Sequence, residues 1–132
     1  MPKRVLIVED NELNLRLFCD LLRAHDYETD GVNDSREALA RAQVWRPDLL
    51  VMDIQMPHVS GLELIEAVRR DTVLRRIPIM AVTAYATPGD EARAREAGAD
   101  SYVTKPISLM RFIESIAALG KIADGRAGLA SA

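Results

Sequence analysis

The stretch of residues 47–57 constrains most strongly what this chain can fold into. Within it, four consecutive apolar residues lead directly into the carboxylate of Asp53. A short apolar run between prolines and acids is typical of a strand that is buried on both faces, and such strands belong to parallel sheets covered by helices. The sequence therefore predicts that Asp53 lies at the carboxyl end of an inner strand, where ligands bind in open α/β sheets.

Strand and helix signals alternate along the rest of the chain. Strands are predicted at residues 4–9, 27–32, 47–53, 79–83 and 101–103. Five helices are predicted to follow them, each opened by an N-cap residue: Asn11, Asp34, Ser60, Thr87 and Ser108. This alternation is that of a doubly wound α/β domain. We expect a flavodoxin-like (βα)5 sandwich with a five-stranded parallel sheet in the order 2-1-3-4-5.

The apolar residues of the helices predict which faces turn inward. In the first and last helices these faces are formed by Leu13, Leu17, Phe18, Leu21 and Leu22, and by Leu109, Phe112, Ile113 and Ile116. The helix of residues 88–97 can bury only alanines, Ala92, Ala94 or Ala97, so we expect weak anchoring that lets it shift. Residues 120–132 are small or polar and predict a flexible C-terminal tail behind a single domain of residues 1–119, with no output domain.

Composition and charge exclude several classes of function. The formal net charge of -3 gives no general electrostatic reason to bind nucleic acid or an anionic membrane. The apolar run of residues 5–8 is too short for a signal peptide or a membrane span. The single cysteine, Cys19, falls in a helical pattern where a buried thiol is expected, which suits a reducing cytosol. The sequence therefore predicts a cytoplasmic protein without nucleic-acid binding or membrane insertion.

Polar residues follow four of the predicted strands. Glu9 and Asp10 follow the first, Asp53 the third, Thr83 the fourth and Lys105 the fifth. Each alone has an ordinary structural explanation, since acids cap helices, threonines end strands and lysines are solvated. Because parallel strands place their carboxyl ends at one edge of the sheet, the five side chains are instead expected to converge.

Three converging carboxylates require a cation or a proton. Two carboxylates about 5 Å apart repel by roughly 3 kcal/mol at an effective dielectric constant near 20. Oxygen ligands suit Mg²⁺, and the ammonium of Lys105 would complete the neutralisation. Such a site fits phosphoryl transfer, in which Asp53 is the best-placed nucleophile and Thr83 offers a hydroxyl to a phosphoryl oxygen.

Two other classes of protein place similar residues after a strand. A phosphatase of the haloacid dehalogenase type also uses an aspartate nucleophile, but its general acid two residues later would be an aspartate, and this position is Gln55. A flavodoxin-like FMN carrier would have a phosphate-binding loop rich in Ser, Thr and Gly after the first strand. This chain has Glu-Asp-Asn at residues 9–11 instead.

The combined motifs resemble the signature of bacterial response-regulator receiver domains. The motifs are Glu-Asp-Asn at residues 9–11, Met-Asp-Ile-Gln-Met-Pro at 52–57 with Gly61, Val-Thr-Ala at 82–84 and Tyr-Val-Thr-Lys-Pro at 102–106. The resemblance covers about residues 4–119 and is strongest to the single-domain regulators of cell division. It implies a protein of two-component signalling or a phosphorelay.

The resemblance also implies roles for the residues of the metal site. Asp53 would be the phosphoacceptor. Asp10, Asp53 and the backbone carbonyl of Gln55 would bind Mg²⁺, for which Mn²⁺ could substitute, and Glu9 would orient the metal through water. Gln55 and Tyr85 flank the site at positions that vary in the family and would tune the lifetime of the phosphoryl group.

A second group of residues would form the switch. Thr83 and Lys105 would bind the phosphoryl group, and Tyr102 would swing inward as Thr83 moves. The Lys105–Pro106 peptide bond is expected to be cis, which X-Pro bonds tolerate.

The same resemblance implies partners. Histidine kinases, their phosphatases or phosphotransfer proteins would exchange phosphate with this chain, which would act as a monomer or as a weak phosphorylation-dependent dimer. Partner kinases would recruit it to the cell poles. Its only chemistry would be its own phosphorylation and autodephosphorylation, so it is not expected to be an enzyme.

Overall fold

Five parallel strands form a single sheet in the order β2-β1-β3-β4-β5. The computed structural model describes residues 2–84 and 88–131. The strands are β1 (Arg4–Val8), β2 (Glu28–Val32), β3 (Leu49–Asp53), β4 (Ile79–Thr83) and β5 (Ser101–Thr104). The helices are α1 (Glu12–Ala24), α2 (Ser35–Trp45), α3 (Gly61–Arg70), α4 (Asp90–Ala97) and α5 (Leu109–Ser131). The predicted fold class and strand order are confirmed.

Two apolar cores lie on opposite faces of the sheet. Alternate side chains of a strand point to opposite faces, so Leu50 and Met52 of β3 enter one core and Leu49 and Val51 the other. Helices α2, α3 and α4 cover the first core, and α1 and α5 cover the second. All five residues of β3 are buried, as a strand covered on both faces requires.

Helix α1 buries a narrower face than its sequence pattern predicts. Phe18, Cys19 and Leu22 are buried, whereas Leu13 and Leu17 are 76% and 50% exposed. Leu22 lies between Phe18 and Cys19 around the helix, and at about 100° per residue Leu17 is about 140° and Leu13 about 180° away from Leu22. Both therefore lie on the opposite side of the helix from the buried face. The prediction that Leu13 and Leu17 point inward is wrong, and the buried thiol of Cys19 is confirmed.

Helix α4 is anchored by one alanine. Ala94 is completely buried, Ala97 is half-buried and Ala92 is exposed. The helix begins at Asp90 after Gly89, which has a φ of 88° and offers no side-chain cap. The predicted cap, Thr87, lies outside the described residues. The small buried face agrees with the expectation of weak anchoring.

Helix α5 continues where the sequence predicts a flexible tail. It buries Phe112, Ile116 and Leu119 and runs to Ser131, while Leu109, expected inward, is 52% exposed. Two ion pairs hold the extension against the rest of the fold: Lys3 with Asp124 at 2.6 Å, and Arg126 with Asp100. These long-range contacts add to the helix propensity of the alanines and basic residues and account for the added turns. In the described part of the chain, no helix has the length and apolarity needed to span a membrane.

Gly61 is required where α3 begins beside the end of β3. A Cβ atom at this position would lie 2.3 Å from the Cα of Ile54 and 2.9 Å from the carbonyl oxygen of Asp53. Gly61→Ala should therefore lower the free energy of unfolding by about 2 to 3 kcal/mol in denaturant titrations. Gly125→Ala is the control, since a Cβ there meets nothing within 4 Å and should stabilise α5 by up to about 1 kcal/mol. Equal effects of the two substitutions would contradict the close approach at Gly61.

Candidate functional site

The parallel strands deliver five polar side chains to one edge of the sheet. β3 and β4 end at Asp53 and Thr83, Glu9 and Asp10 follow β1, and Lys105 follows β5. The pairing of Val8 with Met52 and of Asp53 with Val82 aligns the ends of β1, β3 and β4. The strand ends therefore lie side by side, as the prediction requires.

Glu9, Asp10 and Asp53 form an acidic cluster. Each offers a carboxylate oxygen, and these oxygens lie within 4.8 Å of one another. Glu9 and Asp53 are only 2% and 5% exposed, whereas Asp10 is exposed to solvent. The cluster thus has a buried side held by the protein and an open side that water or a ligand can reach.

Lys105 is the cation that contacts the buried side of the cluster. Its Nζ donates hydrogen bonds to Oε1 of Glu9 at 2.8 Å and to Oδ2 of Asp53 at 3.2 Å. Burial acts to lower the pKa of Lys105, but the hydrogen bond to Glu9 and the charge of Asp53 outweigh it and raise that pKa. Lys105 is therefore an ammonium ion at neutral pH.

One ammonium ion does not neutralise three carboxylates. Burial and the neighbouring Asp53 raise the pKa of Glu9 to about 7, although Lys105 acts in the opposite direction. The uncompensated negative charge and the set of carboxylate oxygens fit a hard divalent cation such as Mg²⁺. Such an ion would meet the open side of the cluster at Asp10.

The loop after β3 is tied to the end of β3 and to β4. Oδ1 of Asp53 accepts the N–H of Gln55 at 2.9 Å, and the N–H of Ile54 donates to the carbonyl of Val82 at 2.9 Å. The side chain of Gln55 reaches across the edge, where its Oε1 accepts the N–H of Ala84 at 3.2 Å. Gln55 therefore bridges the loops that follow β3 and β4.

The residues expected to form the switch lie on β4, β5 and the turn after β5. Thr83 is completely buried, and its carbonyl accepts the N–H of Lys105 at 2.7 Å. Tyr102 is half-buried, and its hydroxyl oxygen has no hydrogen-bond partner among the described residues. The peptide bond between Lys105 and Pro106 is cis, as expected. Tyr85 lies outside the described residues.

Asn14 is a neighbour of the site that the sequence pattern did not identify. Its side-chain amide donates to Oε1 of Glu9 at 3.4 Å. Asn11 caps α1 by accepting the N–H of Asn14 at 3.0 Å, which places the first turn of the helix beside Glu9. The sequence offered one indication of this contact: Asn14 lies three residues after the predicted N-cap, Asn11, in the first turn of the helix that follows Glu9.

Comparison with known proteins identifies the family. The family model described as "Response regulator receiver domain" matches residues 5–117. The chain is 55% identical over 116 residues to the polar-differentiation response regulator DivK of Brucella anthropi, covering 88% of this chain and 94% of the relative. The corresponding protein of Brucella ovis is 53% identical over 116 residues, with the same coverage.

Solved structures show the same fold. The CheY-like receiver domain protein of Methanospirillum hungatei superposes with a TM-score of 0.89 at 27% identity, covering 96% of this chain and 99% of that one. The chemotaxis response regulator CheY4 of Vibrio cholerae gives a TM-score of 0.85 at 28% identity, covering 90% of this chain and 99% of that one.

These matches decide between the classes of protein that the sequence left open. They do not support the haloacid dehalogenase alternative or the FMN carrier. The acidic cluster, the lysine that bridges it and the strand order all agree with the family match over residues 5–117. This chain belongs to the response regulator receiver domain family.

Proposed function

We propose that this chain is a single-domain response regulator that accepts a phosphoryl group on Asp53 from a histidine kinase or a phosphotransfer protein. The supporting observation is the pair of contacts that Lys105 makes, 2.8 Å from Glu9 and 3.2 Å from Asp53, inside the acidic cluster. The ammonium ion lies where the charge of a phosphoryl group on Asp53 would develop. We assign the receiver unit to residues 1–119.

Asp10, Asp53 and the backbone carbonyl of Gln55 would hold Mg²⁺, with Glu9 acting through water. Receiver domains bind Mg²⁺ at an acidic pocket, and this chain has its acidic cluster at the same edge of the sheet. Mn²⁺ should substitute, because it takes the same oxygen ligands. When bound, the ion would neutralise charge on the phosphoryl oxygens.

The transfer needs a nucleophile and groups that stabilise charge. A carboxylate oxygen of Asp53 forms a bond to phosphorus while the bond from phosphorus to the donor breaks and the donor keeps its electron pair. The ammonium of Lys105 and the hydroxyl of Thr83 bind the transferred oxygens. Water later attacks the phosphorus of the acyl phosphate, the bond from phosphorus to Asp53 breaks, and inorganic phosphate leaves as the carboxylate is restored. This hydrolysis is the autodephosphorylation of the protein.

Phosphorylation would shift the protein between two states. It replaces a charge of -1 on Asp53 with about -2, and Thr83 and Lys105 follow the new oxygens. Tyr102, whose hydroxyl has no partner among the described residues, can turn inward when Thr83 moves. The weak anchoring of α4 supports its displacement, so α4, β5 and α5 would form the face that partners recognise.

The relatives support a role in cell-division and cell-cycle control. DivK is named a polar-differentiation response regulator, and receiver domains interact with histidine kinases and phosphotransfer proteins. We propose that this chain acts through protein contacts as a cytoplasmic monomer or a weak phosphorylation-dependent dimer, recruited to the cell poles by partner kinases.

The test uses the purified full chain with Mg²⁺ and acetyl phosphate. We expect one phosphoryl group per chain, labile to hydroxylamine as an acyl phosphate is, and none after the divalent ions are chelated. Sustained turnover of unrelated phosphomonoesters would favour a phosphatase instead. Phosphotransfer profiling against the histidine kinases of the host would then identify the partner.

A further inference from the structure

Ser35 connects α2 to the loop that follows β3. It is 2% exposed, and its hydroxyl donates a hydrogen bond to the carbonyl oxygen of Pro57 at 2.8 Å. The hydroxyl oxygen of Ser35 also accepts the N–H of Val59 at 3.1 Å. The cap of α2 is made by the side chain of Asp34, which accepts the N–H of Arg36 at 2.9 Å. The hydroxyl of Ser35 therefore binds the loop after β3 and does not cap its own helix.

The two hydrogen bonds hold a backbone conformation that is otherwise unfavourable. They lie on either side of His58, which has a φ of 72°. A residue with a side chain adopts this left-handed conformation only when its surroundings support it. Without the Ser35 hydroxyl, the carbonyl of Pro57 and the N–H of Val59 would each lose a partner.

The loop is fixed at its base as well as at this point. The N–H of Gly61 donates to the carbonyl of Ile54 at 3.2 Å, and Gly61 packs against the backbone of Ile54. The chain runs from Asp53 through Gln55 to Pro57, which Ser35 holds. The conformation at Pro57 therefore affects where the backbone of Gln55 lies beside the acidic cluster.

We infer that Ser35 is a positioning residue for the divalent metal ion: it holds the loop of residues 54–60 so that the backbone of Gln55 stays in place beside the acidic cluster. This inference rests on the proposed function, because the loop matters to the ion only if Gln55 is one of its ligands. Ser35 itself touches neither the acidic cluster nor the phosphoacceptor in the contacts that the structure describes.

Removing the hydroxyl should weaken metal binding. In Ser35→Ala the loop would populate conformations in which Gln55 is displaced, and the apparent affinity falls with the fraction of chains that are competent to bind. We expect the dissociation constant of Mg²⁺ to rise about tenfold, as is usual when a residue that orients a metal ligand is lost. The maximal rate of labelling by acetyl phosphate at saturating Mg²⁺ should be unchanged, because Asp53, Thr83 and Lys105 remain.

Ser60→Ala is the matched control. Ser60 ends the same loop, but its hydroxyl caps α3 by accepting the N–H of Glu63 at 3.3 Å. Both substitutions should lower the melting temperature by a few degrees. Mg²⁺ titrations of the unphosphorylated proteins, followed by NMR or calorimetry, should show weakened binding in Ser35→Ala alone. Equal dissociation constants in the two variants would overturn the inference.

Amide hydrogen exchange in the unaltered protein gives a second test that does not depend on a variant folding. Because coupling is reciprocal, Mg²⁺ bound through Gln55 should slow exchange of the Val59 N–H. If the protein binds Mg²⁺ but exchange at Val59 is unchanged, Ser35 does not position the metal site. Failure of the unaltered protein to bind Mg²⁺ at all would instead contradict the proposed function.

Discussion

Asp53→Asn should reduce labelling by acetyl phosphate at least about 100-fold, to the background of the assay. The neutral amide is a poor nucleophile towards phosphorus, and it cannot form the acyl phosphate that makes the modification labile. The variant should remain folded, because the amide oxygen still can accept the N–H of Gln55 and the substitution removes one charge from a crowded acidic cluster.

The control for this loss lies at the other end of the same strand. Asp48 directly precedes β3, and its carboxylate accepts the N–H of Arg4 at 2.8 Å, at the edge of the sheet opposite Asp53. Asp48→Asn changes the same chemical group in the same stretch and should label like the unaltered protein. If Asp53→Asn labels equally well, Asp53 is not the phosphoacceptor, and peptide mapping of the labelled protein would locate the true one.

The sheet was predictable because its inner strands are buried on both faces. The apolar runs at β1, β3 and β4 are continuous, whereas a strand with one face in solvent would alternate apolar and polar residues. Prolines and acids mark the ends of these runs. The five site residues followed from the same pattern, since parallel strands place their carboxyl ends together. Topology therefore fixed the site before any side-chain geometry was known.

The helices were harder to predict because spacing alone does not give their tilt on the sheet. Leu13, Leu17 and Leu109 fit an apolar period but lie outside the arc that contacts the strands. The extension of α5 depends on Lys3 and Asp100, which are distant in sequence from the acidic and basic side chains that they bind. Long-range ion pairs of this kind leave no local signal.

The loop after β3 shows the same limit within the site. Asp53 was predictable from its position at the end of the strand, and Gln55 from the resemblance to receiver domains. The contribution of Ser35 depends on the left-handed backbone at His58, a non-glycine residue that no turn rule would assign to that conformation. Sequence patterns thus identify residues at strand ends, whereas residues that support them through a loop require the coordinates.

Lys105→Met should lower the free energy of unfolding by about 3 kcal/mol at pH 8 without metal. The side chain keeps its length but removes the ammonium ion from two buried carboxylates, Glu9 and Asp53. Lys105→Arg, which keeps the positive charge, should lose less. Urea unfolding between pH 5 and pH 9, with and without Mg²⁺, measures the effect.

The dependence on pH separates this charge effect from a loss of packing. Burial and Asp53 raise the pKa of Glu9 from its ordinary value of 4.5 to about 7, so the folded protein binds a proton that the unfolded chain releases within that window. The free energy of unfolding therefore falls as the pH rises from about 4.5 to 7. Because Lys105 acts to lower the pKa of Glu9, Lys105→Met should extend this fall above pH 7. Mg²⁺ should restore much of the stability that Lys105→Met loses. If the variant is instead less stable by the same amount at every pH, the loss comes from packing alone.

A second substitution of Lys105 tests the switch. Lys105→Ala should retain Mg²⁺ binding, since the proposed ligands are Asp10, Asp53 and Gln55, but phosphorylation should no longer change the affinity for a partner kinase. Without the ammonium ion, no cation on β5 or the turn after it contacts Asp53 in the described structure, so the new charge cannot pull that segment into the second state. The measurement compares kinase binding by the phosphorylated and unphosphorylated forms of each protein. If Lys105→Ala keeps the full difference between its two forms, the signal leaves Asp53 through Thr83 and Tyr102 without Lys105.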